Sequence, residues 1–281
     1  MRSKYLTQCY VDESVHHGHN FVVSAFVFSS GRTDLRVSRV LMDAGLKPGV
    51  DEFKSGARMT GNPIMQRARE GLLSLANSTA KIGVFVGPLE RGTLGKHSLQ
   101  ALQSIIVRNA IQPSKLDVYF DEDIFSSPQE ARRLHLLFHF LRAACIHPKE
   151  DSRKRLGIQI ADAVAGSFGQ IVKEALTGDT KEIDIGGPNT GYPRGTMAPL
   201  GWSLLMNLRY AMLTRPMVYQ GEKYSASADP VILDPIHDDP VNYGQHPILL
   251  GWGIQVAPEA CNELRRAVEQ SLGRIWLGCI H

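Results

Sequence analysis

Acidic residues follow two predicted strands of this sequence and interrupt one otherwise apolar helix. Asp12 comes after the apolar run of residues 5–11, and Asp121 follows the run of residues 116–120. Asp162 lies within the small and apolar segment GIQIADAVAG. A carboxylate on a buried helix surface is costly unless a cation or a hydrogen-bond partner compensates for it. These positions therefore indicate a functional site built from carboxylates. The alternative for Asp12 and Asp121 is that each belongs to an acidic turn that closes a strand.

Carboxylates that come together in space favour a hard divalent ion. Mg²⁺ and Mn²⁺ take oxygen ligands, and two such ions about 3.5–4 Å apart can hold the attacking and leaving oxygens of a phosphodiester. We expect Asp12, Asp121 and Asp162 to be metal ligands. Glu52, which pairs with Lys54 in the segment DEFK, is a fourth catalytic candidate. It would position the attacking water or complete a second ion site. If no ion is bound, the repulsion between clustered carboxylates would instead raise the pKa of one of them.

Several neighbours of these acids are candidate accessory residues. Side chains alternate along a strand, so Glu13 is not expected to enter the same pocket as Asp12 unless the strand is distorted. Gln159 lies three residues before Asp162 and therefore on the same helix face. The loop VHHGHN carries three histidines that could contact phosphate or bind a metal ion, or could simply face solvent. They are His16, His17 and His19.

A basic segment precedes the helix that carries Asp162. Arg153, Lys154 and Arg155 stand where cations oppose the helix dipole, so local stability does not explain them. They are candidate contacts to a nucleic-acid backbone, and a solvated charge run is the alternative. The formal net charge of +3 permits nucleic-acid binding but does not require it.

The elements that would position these residues alternate between strands and helices. Residues 5–11 and 21–28 predict an antiparallel hairpin joined by a polar loop over residues 14–20. Later segments predict strands at 81–86, 115–120 and 143–146, and helices at 35–44, 98–111, 128–141 and 156–176, with another that begins at Asn62-Pro63. This order predicts an α/β fold with a mixed sheet flanked by helices. We expect residues 1–178 to form this unit and residues 179–281 to form a C-terminal extension packed on it.

Composition excludes several classes of protein. The 281 residues are 43% hydrophobic and 21% charged, which is typical of a folded globular chain and not of a disordered or fibrous one. No apolar run approaches the ~20 residues of a membrane helix, and the N-terminus lacks the apolar stretch of a signal peptide. We therefore expect a cytoplasmic protein with no membrane partner. The four cysteines have no CxxC spacing and predict reduced thiols used as small hydrophobes.

The motifs YVDES, EFK, VYFDED and GIQIADAVAG, in this order, resemble those of a bacterial and phage family known as domain of unknown function 3800. The resemblance covers roughly residues 5–172. That family belongs to the RNase H-like superfamily, so the resemblance implies a mixed five-stranded sheet. In such enzymes, acids on the first strand, the fourth strand and flanking helices hold two divalent ions. By motif, these acids correspond here to Asp12, Asp121 and Asp162, with Glu52 as the remaining acid.

The chain departs from the family pattern in two places. Val15 stands where a glycine commonly follows DES, and the C-terminal extension has no counterpart in the resemblance. The family implies nuclease-type chemistry, and its members often lie near mobile elements and defence genes.

The sequence thus predicts a metal-dependent nuclease that hydrolyses phosphodiester bonds of RNA or DNA with Mg²⁺ or Mn²⁺. The alternative is a non-catalytic nucleic-acid-binding or scaffolding protein on the same fold, which could bind a protein partner or a second copy through the extension. A glycosidase built on a carboxylate pair is a third hypothesis, which an aromatic content of 7% supports little.

Overall fold

The computed structural model describes residues 6–90, 92–188, 190–213 and 253–272, together with the backbone of five short strands between residues 218 and 276. The first five strands are β1 (Gln8–His16), β2 (Phe21–Ser29), β3 (Ala80–Pro88), β4 (Asp117–Asp121) and β5 (Cys145–Glu150). The later strands are β6 (Glu182–Asp184), β7 (Met197–Pro199), β8 (Val218–Tyr219), β9 (Glu222–Lys223), β10 (Pro230–Ile232), β11 (Ile248–Leu249), β12 (Ile254–Val256) and β13 (Arg274–Trp276). The helices are α1 (Thr33–Ala44), α2 (Pro63–Thr79), α3 (Leu94–Arg108), α4 (Pro128–His135), α5 (Ile158–Thr177), α6 (Leu200–Leu208) and α7 (Asn262–Leu272).

Seven of these strands form one mixed sheet in the order β11-β12-β3-β2-β1-β4-β5. Strands β1, β2 and β3 pair antiparallel, whereas β4 pairs parallel to β1 and β5 pairs parallel to β4. Helices cover both faces, as is usual for a sheet with parallel pairs, whose crossover connections run over its faces. The predicted α/β class with a mixed sheet is therefore confirmed.

The N-terminal hairpin forms as predicted, but its first strand is longer than expected. Pairing between β1 and β2 continues to His16 opposite Phe21, so Asp12 lies within β1 and not after its end. The parallel pairing of β1 with β4, by contrast, stops at Val11 opposite Phe120. Asp12 is therefore the first residue of β1 beyond the part that pairs with β4.

The two faces of the sheet bury separate apolar cores. Tyr10 and Tyr119 belong to the core under α1, α2, α5, α6 and α7, whereas Val11 and Phe120 belong to the core under α3 and α4. Because side chains alternate along a strand, Asp12 and Asp121 both continue the face of the two tyrosines, which is the face that α5 covers.

Local signals fix some of the helix boundaries. The Asn62 side chain accepts a hydrogen bond from the Met65 amide at 3.2 Å, so the predicted start of α2 is confirmed. The predicted helix over residues 128–141 is wrong in length, because α4 ends at His135. The His135 Nε2 atom lies 2.7 Å from the Leu141 carbonyl oxygen. The chain turns back there into a short 3-10 helix.

The residues beyond α5 contribute to the same sheet. Gly178 closes α5 with a left-handed conformation, φ 69°, and β12 pairs parallel with β3. Buried residues of α6 and α7, such as Leu204 and Leu264, belong to the core on the α5 face. Among the described residues, no helix is long and apolar enough to cross a membrane.

The cysteines do not all behave as small hydrophobes. Cys9 is buried, but Cys145 and Cys261 are exposed, and all three are free thiols. The expectation of burial is therefore wrong for the last two, while Cys279 lies outside the described residues. Exposure leaves Cys145 and Cys261 available for chemistry that a buried thiol does not offer.

Candidate metal centre at the ends of two parallel strands

Two buried carboxylates meet where the β1–β4 pairing stops. Asp12 and Asp121 are each 5% exposed, and they follow the last paired residues of adjacent parallel strands. The Asp12 Oδ1 atom accepts a hydrogen bond from the Glu13 amide at 2.7 Å. Parallel strands place their carboxyl ends at one edge of a sheet, which is where open α/β sheets bind ligands.

Glu13 joins this pair, contrary to the expectation from strand alternation. One carboxylate oxygen from each of Asp12, Glu13 and Asp121 lies within 4.8 Å of the other two. The register of β4 with β5 shifts between Tyr119 and Asp121, and β1 has no β4 neighbour beyond Val11. Strand β4 is therefore irregular at this edge, although β1 keeps a regular register with β2 through Glu13, and side chains from opposite faces can meet there.

The three carboxyl groups strongly disfavour being ionised together. Burial raises the pKa of Asp12 well above its usual range, and the charges of Asp162, Asp121 and Glu13 raise it further. Burial and the charges of Asp121 and Asp123 raise the pKa of Glu13 to about 8. Burial also raises the pKa of Asp121 to about 6, although Lys54 opposes this effect. A divalent cation would relieve the repulsion.

Asp162 on α5 acts on this group through its charge, is not among the three acids whose oxygens lie within 4.8 Å of one another, and is held by Ser55. The Asp162 side chain is 7% exposed. Its Oδ2 atom accepts a hydrogen bond from the Ser55 amide at 2.8 Å, and its Oδ1 atom accepts one from the Ser55 hydroxyl at 2.5 Å. Burial raises the pKa of Asp162, while these hydrogen bonds and the charge of Lys54 oppose the rise. A carboxylate has about four lone-pair sites, so two hydrogen bonds leave Asp162 able to bind a cation.

Glu52 lies in the loop that carries Lys54 and Ser55. Its Oε1 atom accepts a hydrogen bond from the Ser152 hydroxyl and lies 2.8 Å from the Lys54 Nζ atom. The Glu52 side chain is 24% exposed. Glu52 is thus more open to solvent than Asp12, Asp121 or Asp162, which suits a group that would orient a water molecule.

Lys54 balances part of the negative charge. Burial by itself would lower the pKa of the Lys54 ammonium, but the hydrogen bond and charge of Glu52, with the charges of Asp12 and Asp121, raise it above its usual value. Lys54 therefore carries a positive charge at neutral pH. One ammonium cannot compensate for all the carboxylates around it.

One face of α5 positions this loop. Gln159 is fully buried; its Oε1 atom accepts a hydrogen bond from the Phe53 amide at 2.9 Å, and its Nε2 atom donates one to the Ser152 carbonyl at 3.0 Å. A Cβ atom on Gly166 would collide with Ser55. Gln159 therefore organises the loop through both polar atoms of its amide. The small residue at 166 allows Ser55 to reach Asp162.

The candidate histidines lie at the far end of β1. The His16 ring stacks on Phe21 with ring centroids 4.4 Å apart, and burial with the charges of Lys173 and His19 lowers the pKa of His16 to about 4. His17 is exposed and His19 partly exposed. Four residues of strand, about 13 Å, separate His16 from Asp12, so the structure does not bring His16 to the carboxylates.

The three basic residues differ in their surroundings. Arg153 and Lys154 are exposed and pair with Asp151, at 3.0 Å and 3.8 Å. Arg155 is more enclosed: its Nη1 atom lies 3.2 Å from Asp34 Oδ2, and its guanidinium lies over the Tyr119 ring. Arg153 and Lys154 therefore remain available to a phosphate backbone, whereas Arg155 has a structural role in joining α1 to the segment before α5.

The donor set suits a hard divalent ion. Asp12, Glu13 and Asp121 offer only carboxylate oxygens, which Mg²⁺ and Mn²⁺ prefer over softer ligands. The Glu13 Oε2 atom is buried and has no hydrogen-bond partner among the described residues. A buried oxygen without a partner is costly, and a cation would provide one.

Sequence reasoning missed Ser55 and Ser152 and kept Glu13 only as an accessory candidate that would need a distorted strand to reach the pocket. Ser55 directly follows EFK, and Gly166 on α5 was a signal of close approach at that point. Ser152 and the irregular strand edge left no signal in the sequence.

No family model matches the chain, and no curated protein matches it. The functional assignment therefore depends on the geometry of the carboxylates and on the resemblance of the motifs.

Proposed function

We propose that this protein is a metal-dependent nuclease that hydrolyses phosphodiester bonds of RNA or DNA with Mg²⁺ or Mn²⁺. The observation that carries the proposal is the convergence of Asp12, Glu13 and Asp121, with one oxygen of each within 4.8 Å of the others. Asp162 adds a fourth carboxylate, itself buried, whose charge acts on Asp12.

The arrangement of the sheet supports an RNase H-like fold for this enzyme. Within the larger sheet, five neighbouring strands follow the order β3-β2-β1-β4-β5, and only β2 runs opposite to the rest. Asp12 lies on the first strand and Asp121 on the fourth, while Asp162 lies on a helix that packs against β1. This is the placement that the resemblance to the domain of unknown function 3800 family implies.

The residues have separate roles in the proposed reaction. Asp12, Glu13, Asp121 and Asp162 would hold the ions, and Glu52 would accept a hydrogen bond from the attacking water. The ions, when bound, lower the pKa of that water and neutralise the charge that develops on phosphorus. Lys54 would attract the phosphate, and Arg153 and Lys154 would contact the backbone beyond the scissile bond.

The test is a cleavage assay with labelled single-stranded, double-stranded and hybrid substrates in Mg²⁺, Mn²⁺ or chelator. We expect cleavage in the metal-containing reactions and none in chelator. Asp121→Asn and Asp12→Asn should lower the rate by more than about 100-fold, because even residues that only orient a metal ligand contribute about 10–100-fold. Glu122→Gln removes an exposed acid of the same turn and should leave the rate unchanged. Equal rates in Asp121→Asn and the wild type would refute the assignment.

A non-catalytic nucleic-acid-binding protein is the second candidate, and Lys54 is the observation that favours it. Its ammonium pairs with Glu52 and offsets part of the charge on Asp12 and Asp121, which allows the fold to exist without ions. Such a protein would bind nucleic acid equally well in chelator and in Mg²⁺, and would cut none of the substrates.

A further inference from the structure

A second group of metal-ligand types lies at the opposite end of β4. Asp117 is the first residue of β4, and its neighbour across the parallel pairing is Cys145, the first residue of β5. His147 follows two residues later on the same face of β5. One ligand atom from each of these residues lies within 4.8 Å of the other two.

The histidine of this group is held in place by stacking. The His147 ring lies on the Tyr119 ring, with centroids 4.6 Å apart and an interplanar angle of 15°. Tyr119 is fixed in turn by stacking on Tyr10 at 5.4 Å and by the Arg155 guanidinium 4.2 Å from its centroid. In this orientation the His147 Nε2 atom lies 3.1 Å from the Asp117 Oδ1 atom. A ligand whose orientation is fixed in advance loses little entropy on binding.

We infer that Asp117, Cys145 and His147 bind a zinc ion at a site separate from the carboxylate cluster. Thiolate, imidazole and carboxylate are the ligands that zinc takes in proteins, whereas Mg²⁺ requires oxygen atoms. Tetrahedral zinc geometry places neighbouring ligand atoms about 3.3–3.6 Å apart. The nitrogen and oxygen of His147 and Asp117 are already within a few tenths of an ångström of that spacing.

The charges and the exposure of the group suit the ion. Cys145 would release its thiol proton to solvent on binding, so that the thiolate and the Asp117 carboxylate together neutralise Zn²⁺. His147 would bind through the Nε2 lone pair as a neutral ring that carries its proton on Nδ1. The side chains of Asp117 and His147 are 47% and 33% exposed, and Cys145 is exposed. Water can therefore supply the fourth ligand.

The position of the group gives the ion a structural role that is independent of the proposed nuclease activity. Among the described strands, β5 ends the order of the main sheet and pairs with β4 only. An ion held by Asp117 on β4 and by Cys145 and His147 on β5 would fasten this edge strand at its first residue. About 13 Å of strand separates Asp117 from Asp121, so the two sites can be occupied separately.

The test is cobalt substitution in the full-length protein. Co²⁺ bound by a thiolate gives a near-ultraviolet charge-transfer band, which oxygen ligands do not produce. We expect this band in the wild type and in the Asp12→Asn/Asp121→Asn double variant, and we expect Zn²⁺ to displace it. Cys145→Ser should abolish the band and Cys261→Ser, the matched control at another exposed thiol, should keep it. Absence of the band in the wild type, or its survival in Cys145→Ser, would overturn the assignment.

Alkylation gives a second measurement with an internal control. With free zinc at about ten times its Kd, the thiol of Cys145 should react about tenfold more slowly, because only about a tenth of the sites remain empty. Cys261 in the same molecules should react at an unchanged rate. His147→Gln keeps the thiol and should remove the protection. Protection that persists in His147→Gln, or that is equal at both cysteines, would contradict the site.

Discussion

Asp121→Asn is expected to stabilise the protein when divalent ions are absent. Burial raises the pKa of Asp121 from its usual 3.8 to about 6, so the folded protein binds this proton more tightly than the unfolded chain does. Ionising the carboxyl group therefore opposes folding. The free energy of unfolding of the wild type should fall as the pH rises from about 4 to about 6, and the loss should persist at higher pH.

The size of the effect follows from the same values. A difference of about 2 pKa units corresponds to about 3 kcal/mol. At pH ~8, Asp121→Asn should raise the free energy of unfolding by up to this amount relative to the wild type. For a chain of this size, that corresponds to ~6 °C in melting temperature. At pH ~4 the stability difference between Asp121→Asn and the wild type should shrink to about 0.5 kcal/mol, because the wild-type carboxyl group is then protonated in the folded state.

Thermal unfolding followed by circular dichroism, in chelator and over this pH range, measures the effect. Glu122→Gln is the matched control, since Glu122 is exposed in the turn that follows Asp121. Its charge is only one of the smaller causes that raise the pKa of Asp121, so the melting temperature of this variant should stay much closer to that of the wild type than that of Asp121→Asn. Mg²⁺ or Mn²⁺ should raise the melting temperature of the wild type at pH ~8 and raise that of Asp121→Asn less. The reasoning is refuted if Asp121→Asn melts at or below the wild-type temperature at pH ~8, or if the ions stabilise both proteins equally.

Three further variants test other parts of the structure. Gly166→Ala should reduce cleavage by about 10–100-fold, because its new methyl group would displace Ser55 from Asp162; an unchanged rate would argue against that role. Lys54→Gln removes a charge that lowers the pKa of Asp121, so melting curves in chelator should show the loss of stability extending to higher pH than in the wild type. Asn62→Ala removes the cap of α2 and should cost about 1 kcal/mol in urea unfolding, with no change in cleavage.

Patterns along single elements predicted much of this structure. The apolar runs of the hairpin and the alternation of strands with helices led to the α/β class and to the expectation that Asp12 and Asp121 point toward one edge. The features that the sequence did not predict depend on how separate strands pair with one another. The β1–β4 pairing ends one residue before Asp12, and this irregular edge lets Glu13 enter the pocket. The register that sets Cys145 beside Asp117 joins residues from two strands that no sequence pattern links.

The separation of the acids along the chain has a consequence for how the site appears during synthesis. Asp12 and Asp121 lie more than one hundred residues apart, and they meet only after β1 and β4 have paired in parallel, a non-local step that closes slowly. A growing chain that has not yet produced β4 therefore has no ion site and cannot carry out the proposed cleavage. Under the proposed function, the messenger being translated is therefore not exposed to nuclease activity before β4 and the helix that carries Asp162 have been made.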